Sequence, residues 1–159
     1  DCQRVRACRR VDAMSKNFTL AELTFSEWAA RNGLLNKPMP RIVENLEWLM
    51  ERLEEVRALL GHPMRVTSGF RSETVNAGVG GSLMSQHRYG LACDFLCPGF
   101  GSPAEVVAAI EASALQFDQL IDELGWVHIS FVRNNPRRMV GVKQQGKEVK
   151  WHCGRTFQP

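Results

Sequence analysis

Ser85-Gln86-His87-Arg88-Tyr89-Gly90-Leu91-Ala92-Cys93-Asp94, residues 85–94, carries an imidazole and a carboxylate on either side of a glycine. Gly90 permits a turn or chain reversal between them, so the side chains of His87 and Asp94 can converge. A second imidazole, His128, follows in Trp126-Val127-His128-Ile129-Ser130, a stretch whose β-branched and aromatic content reads as a strand. Two histidines and one aspartate make an N2O set that borderline-soft zinc accepts. The count is informative too. A structural zinc is normally closed by four protein ligands, whereas a hydrolytic zinc keeps three and leaves the fourth position to a water whose pKa it lowers. Either histidine alone reads more simply as a satisfied core residue. Together with Asp94 they predict one Zn2+ held by His87, Asp94 and His128 in a hydrolase.

Outward from this stretch the chain reads as helices interleaved with short strands. Thr19 is a candidate N-cap for a short helix at Leu20-Ala21-Glu22-Leu23, with Glu22 completing a capping box. The clearest helix runs from about Pro40 to Leu60, because Ile42, Val43, Leu46, Leu49, Met50, Leu53, Val56 and Leu60 form one apolar stripe and Gly61 closes it. Its charged face, from Glu44 to Arg57, reads as solvated surface. Met64-Arg65-Val66-Thr67 reads as a strand ending in Ser68-Gly69. A second helix is expected after Ser102-Pro103, with Val106, Val107, Ile110 and Leu115 facing inward. Residues 125–132 form a strand, and residues 138–143 with 148–151 form a hairpin around Gln145-Gly146. These elements predict an α+β fold, a small mainly antiparallel sheet with packed helices.

Composition sets bounds on the partners. The chain has 159 residues, 44% of them hydrophobic, enough to bury a sizeable core without disulfides. Residues 14–159 are expected to form a single domain. Residues 1–13, with Arg4, Arg6, Arg9 and Arg10 around two cysteines, read as a basic tail, disordered or a non-native extension. Five cysteines (Cys2, Cys8, Cys93, Cys97 and Cys153) cannot all pair, and Cys93 and Cys97 read as buried thiols. A net charge of +3 is too small to argue for nucleic acid but suits an acidic polymer such as a cell wall. No run approaches the ~18 apolar residues of a membrane span. A monomer that binds neither nucleic acid nor membrane is the expectation. The opening residues lack the apolar core of a signal peptide, so synthesis in the cytoplasm is expected, and any route out of it must be supplied by something else.

Ser68-Gly69-Phe70-Arg71-Ser72, Asn76, Val79-Gly80-Gly81-Ser82, the SxHxxGxAxD pattern of residues 85–94 and Trp126-Val127-His128-Ile129-Ser130 occur in an order and spacing that form a specific combination. In this the chain resembles the zinc D-Ala-D-Ala carboxypeptidase family, which includes bacteriophage endolysins, over Phe18 to Phe131. The resemblance implies a hedgehog/DD-peptidase-like fold and a peptidase cutting peptidoglycan stem peptides or cross-links. It also implies His87, Asp94 and His128 as zinc ligands, and it fits a phage or prophage lysin.

A zinc peptidase needs a carboxylate to take the proton of the attacking water and pass it to the leaving amine. The family often carries that acid three positions before the last histidine ligand, where this chain has Gly125. Asp122 and Glu123 lie just upstream. Glu123 is the expected base, because its longer side chain tolerates a turn or bulge at Leu124-Gly125. Arg71 is the expected electrophilic helper, holding a developing oxyanion or a substrate carboxylate. Ser85 reads either as a substrate-binding or site hydroxyl or as a loop-stabilising one. Trp126 and Tyr89 are candidate cleft walls, and His62 and His152 read as surface residues. The rival reading, motivated by Gly125, is a non-catalytic zinc-containing module that binds cell wall or a protein.

Overall fold

The computed structural model describes residues 15–146 and 148–153. The expected tail of residues 1–13 lies outside them. Among the described residues the order is α1 (Leu20–Thr24), α2 (Glu27–Arg31), α3 (Pro40–Leu60), β1 (Arg65–Ser68), α4 (Glu73–Gly78), a 3-10 turn (Gln86–Tyr89), β2 (Ala92–Leu96), α5 (Pro103–Glu111), β3 (Gln119–Asp122), β4 (Val127–Ser130), β5 (Met139–Lys143) and β6 (Val149–Cys153). The fold is α+β.

Local chemistry accounts for most of the boundaries. Thr19 Oγ1 accepts the Glu22 N–H at 3.1 Å and so starts α1, although the reciprocal half of a capping box does not form there. A full capping box appears instead on α5, where Ser102 and Glu105 satisfy each other's backbone N–H groups and Pro103 occupies the first turn. α3 begins at Pro40 and ends at Gly61, whose φ of +65° provides the left-handed cap. Its stripe is buried as expected except at Val43, which is half-buried, with Leu46, Leu49, Leu53 and Val56 fully enclosed.

The six strands form one sheet in the order β1-β2-β4-β3-β5-β6, antiparallel throughout except for the parallel pair β3–β5. Strand alternation divides the side chains between the two faces. Cys93 and Phe95 of β2, Val127 and Ile129 of β4, Leu120 of β3 and Val140 of β5 join the core with α3 and α5. Cys93 and Cys97 are buried thiols. Asp94, His128 and Ile121 point to the opposite face as one cross-strand row, since Asp94 pairs with His128 and His128 with Ile121. No helix among the described residues is long and apolar enough to cross a membrane.

Candidate metal centre and cleft

The three expected ligands converge. Asp94 Oδ1 lies 2.8 Å from His128 Nδ1 and 3.1 Å from His87 Nε2, and the two ring nitrogens are 3.2 Å apart. Zinc bonds of about 2.0–2.2 Å in tetrahedral geometry separate neighbouring ligand atoms by roughly 3.3–3.6 Å, so the three atoms, at 2.8, 3.1 and 3.2 Å, need to spread by less than about 1 Å to hold such an ion. The second ring nitrogen of His87 explains its orientation: Nδ1 is 2.6 Å from the Gly69 carbonyl oxygen, which can only accept. Nδ1 therefore carries the proton, and the Nε2 lone pair faces the centre. Burial pushes His87 below the ordinary histidine value, against the attraction of Asp94, and keeps the ring neutral. Burial alone would raise Asp94, but its interactions with His87 and His128 outweigh this and hold the carboxyl below the usual carboxylate range. A neutral imidazole and an ionised carboxylate are the forms that ligate a metal.

The Ser68–Ser72 stretch builds the support. Gly69 passes so close to α1 that a Cβ on it would lie 2.3 Å from the Leu23 carbonyl oxygen. This approach lets the Phe70 N–H reach the same oxygen at 2.7 Å. The Arg71 N–H donates to the His87 carbonyl at 3.1 Å, which docks the 3-10 turn onto the end of β1. Arg71 Nη2 donates to Asp94 Oδ2 at 2.6 Å and Nε to Ser68 Oγ at 3.0 Å. Ser72 caps α4, and its own N–H donates to Asn36 Oδ1. The guanidinium expected to meet substrate is thus engaged mainly in orienting a ligand carboxylate, with only Nη1 lacking a partner among the described residues.

A cleft of about 790 Å³ opens over this centre, between the sheet and the Val79–Gln86 loop. Gln119, Ile121 and Glu123 line it by strand alternation, whereas Asp122 turns away and is buried, with Oδ1 accepting the Leu124 N–H at 2.8 Å. Leu124 adopts φ +68° in the tight turn closed by Glu123 N–H to Trp126 O. This turn keeps an acid in the cleft although Gly125 occupies the family's usual acidic position. Ser85 also lines the cleft, and its hydroxyl makes no capping hydrogen bond. Trp126 is a cleft wall. Tyr89 is not: it sits on the surface under Arg88. His62 and His152 are exposed as expected. A second cavity of about 270 Å³ adjoins across Arg71 and Asp94, with Phe25 and Trp28 on its far side.

The family model for peptidase M15 matches residues 16–130. The chain belongs to the peptidase M15 family. It is similar to the zinc D-Ala-D-Ala carboxypeptidase of Streptomyces albus G, with 34% identity over 113 residues, which are 69% of this chain and 42% of that protein. The chain therefore spans less than half the length of this relative.

The M15 match ends at the last residue of β4, while the far wall of the cleft comes from Arg137 and from Lys143 on β5. Along the sequence Lys143 reads only as part of a hairpin, and nothing marks Arg137. Nor does anything there mark β3 or the buried Asp118, whose carboxylate accepts from Gln86 Nε2 at 3.1 Å and from the Arg137 N–H and Nε at 3.1 and 2.9 Å. Asp118 thereby ties the residue preceding His87 to the start of β5. Gln119-Leu120-Ile121-Asp122 alternates neither in polarity nor in burial, so no period-2 signal announces the strand.

Proposed function

We propose that this M15 family member is a zinc-dependent peptidase that hydrolyses amide bonds in peptidoglycan stem peptides or cross-links. The observation that carries the reading is the convergence of His87 Nε2, Asp94 Oδ1 and His128 Nδ1 on the floor of a cleft that also presents Glu123. The similarity to a protein named zinc D-Ala-D-Ala carboxypeptidase supports both the metal and the substrate class. When bound to these three residues, zinc would supply Lewis acidity for an amide carbonyl and for a water at its open position. Glu123 takes the proton of the attacking water, and as the carbon–nitrogen bond breaks it passes that proton to the leaving amine. Arg71 orients Asp94 through Nη2, and Nη1, which has no partner among the described residues, is the donor offered to a developing oxyanion or a substrate carboxylate. Ser85 offers an unengaged hydroxyl to the substrate backbone. A wall substrate requires action outside the membrane, and we infer a lysin released by another protein or carried on a virion.

The test is to incubate zinc-loaded protein with purified peptidoglycan and identify the released fragments by mass spectrometry, with Glu123→Gln alongside. New peptides that disappear in Glu123→Gln are expected. One bound zinc with no fragments from several wall chemistries would sink the peptidase reading in favour of a wall-binding module.

A further inference from the structure

Three cations line the cleft, and two of them are already committed. Arg71 is held by buried Asp94 and Arg137 by buried Asp118. Lys143, the last residue of β5, has no carboxylate within ion-pair distance among the described residues, yet it too lines the cleft. Its position is informative. The parallel ladder ends with Asp122 beside Val142, so Glu123 and Lys143 are the next positions along β3 and β5, on strands about 4.8 Å apart. Both contribute to the cleft wall, and they do not pair with each other within 4.0 Å.

We propose that Lys143 is a carboxylate anchor on the leaving-group side, selecting scissile bonds whose leaving residue carries a free carboxylate on the carbon that bears the departing nitrogen. This rests on the reading of Glu123 as the proton donor to that nitrogen. An acid that delivers a proton must lie within hydrogen-bond reach of the atom receiving it, so the departing nitrogen ends beside Glu123. A carboxylate on the same carbon is then within a few bond lengths of the adjacent strand, where Lys143 offers three donors on a flexible four-carbon arm. The pair is complementary to the product: Glu123 faces the new amine and Lys143 the carboxylate of the same α-amino acid. Two of the wall bonds that present this chemistry serve as probes. One precedes a chain-terminal D-Ala. The other precedes a D-Glu linked onward through its γ-carboxyl, which leaves its α-carboxylate free.

The experiment uses zinc-loaded Glu123→Gln protein, so that peptides bind without turnover, and isothermal titration with two matched pairs. The first pair is a peptide ending in D-Ala-D-Ala as the free acid and as the C-terminal amide. The second is an L-Ala-γ-D-Glu peptide with its α-carboxylate free and amidated. The acid is expected to bind about fivefold more tightly than its amide in at least one pair, with the preference shrinking as salt rises. Lys143→Ala in the same background should remove the preference, and Lys143→Arg should keep it. Which pair shows the effect identifies the source of the carboxylate. An acid preference unchanged by Lys143→Ala, or no preference in either pair, overturns the anchor. Hydrolysis by the unsubstituted protein is scored separately. Cleavage with a Lys143-independent preference removes the anchor alone, whereas Lys143-dependent binding without cleavage removes the peptidase reading and the leaving-group assignment with it, leaving Lys143 as a carboxylate-binding residue.

Discussion

Arg71 illustrates how one side chain serves a site through another. Its Nη2 holds Asp94 Oδ2 while Asp94 Oδ1 faces the two histidines. Outer partners of metal ligands typically contribute ten- to a hundredfold in metal affinity. Arg71→Ala should therefore weaken zinc binding by about that factor, measured by competition with a chromophoric chelator. The adjacent acids Asp122 and Glu123 differ for a simple reason, since neighbours on a strand face opposite sides of the sheet. Glu123→Gln should lower kcat by about 10²–10⁴-fold and leave the melting temperature unchanged. Asp122→Ala removes the acceptor for the Leu124 N–H and should cost about 1 kcal/mol in a denaturant titration with little change in kcat.

At the scale of elements, the 3-10 turn and β2 act as one unit hinged at Gly90. Gly90 has φ +68°, and a Cβ there would meet Leu46 Cγ at 3.0 Å and the Ile42 carbonyl oxygen at 3.1 Å on α3. The left-handed conformation alone costs a non-glycine residue about 1–2 kcal/mol, and the crowding adds to it. Gly90→Ala should lower stability by at least about 1 kcal/mol and weaken zinc binding as well, because the same turn sets His87 against Asp94. Chemical denaturation with and without zinc reads both effects. The glycine was visible in the sequence as a permitted reversal, but not the helix that makes it obligatory. α3 itself was legible to the residue because its 3.6-residue stripe repeats over many turns. The short elements β2 and β3 were not, since β2 is buried on both faces and shows no alternation.

Over the whole molecule, Asp118 joins the ligand-bearing turn to the hairpin region. Burial alone would raise its carboxyl, but hydrogen bonds from Arg137 and Gln86 outweigh this and hold it below the ordinary aspartate value. A carboxyl whose pKa is depressed by folding stabilises the fold fully above its unfolded value, about 3.9, and loses that contribution as pH falls through the folded value. Asp118→Asn should therefore be less stable than the parent protein at neutral pH. The gap between them should close below about pH 4, read from urea midpoints across an acid series. A gap independent of pH would show that the Asp118 charge adds nothing.

Which side chains can ligate a metal, which helix builds the core, and where Gly90 lets the chain turn between two candidate ligands are all legible along the chain. These are properties of residue type and of periodicity along a few turns, and they need no knowledge of distant neighbours. That His87 presents Nε2, that Arg71 is bound to Asp94, and that Glu123 rather than Asp122 enters the cleft emerge only on folding. So does the place of Lys143 beside Glu123, without an ion-pair partner among the described residues. Each of these depends on which strand lies next to which and in what register, and a sheet ordered β1-β2-β4-β3-β5-β6 joins residues too far apart in the chain for local pattern to relate them.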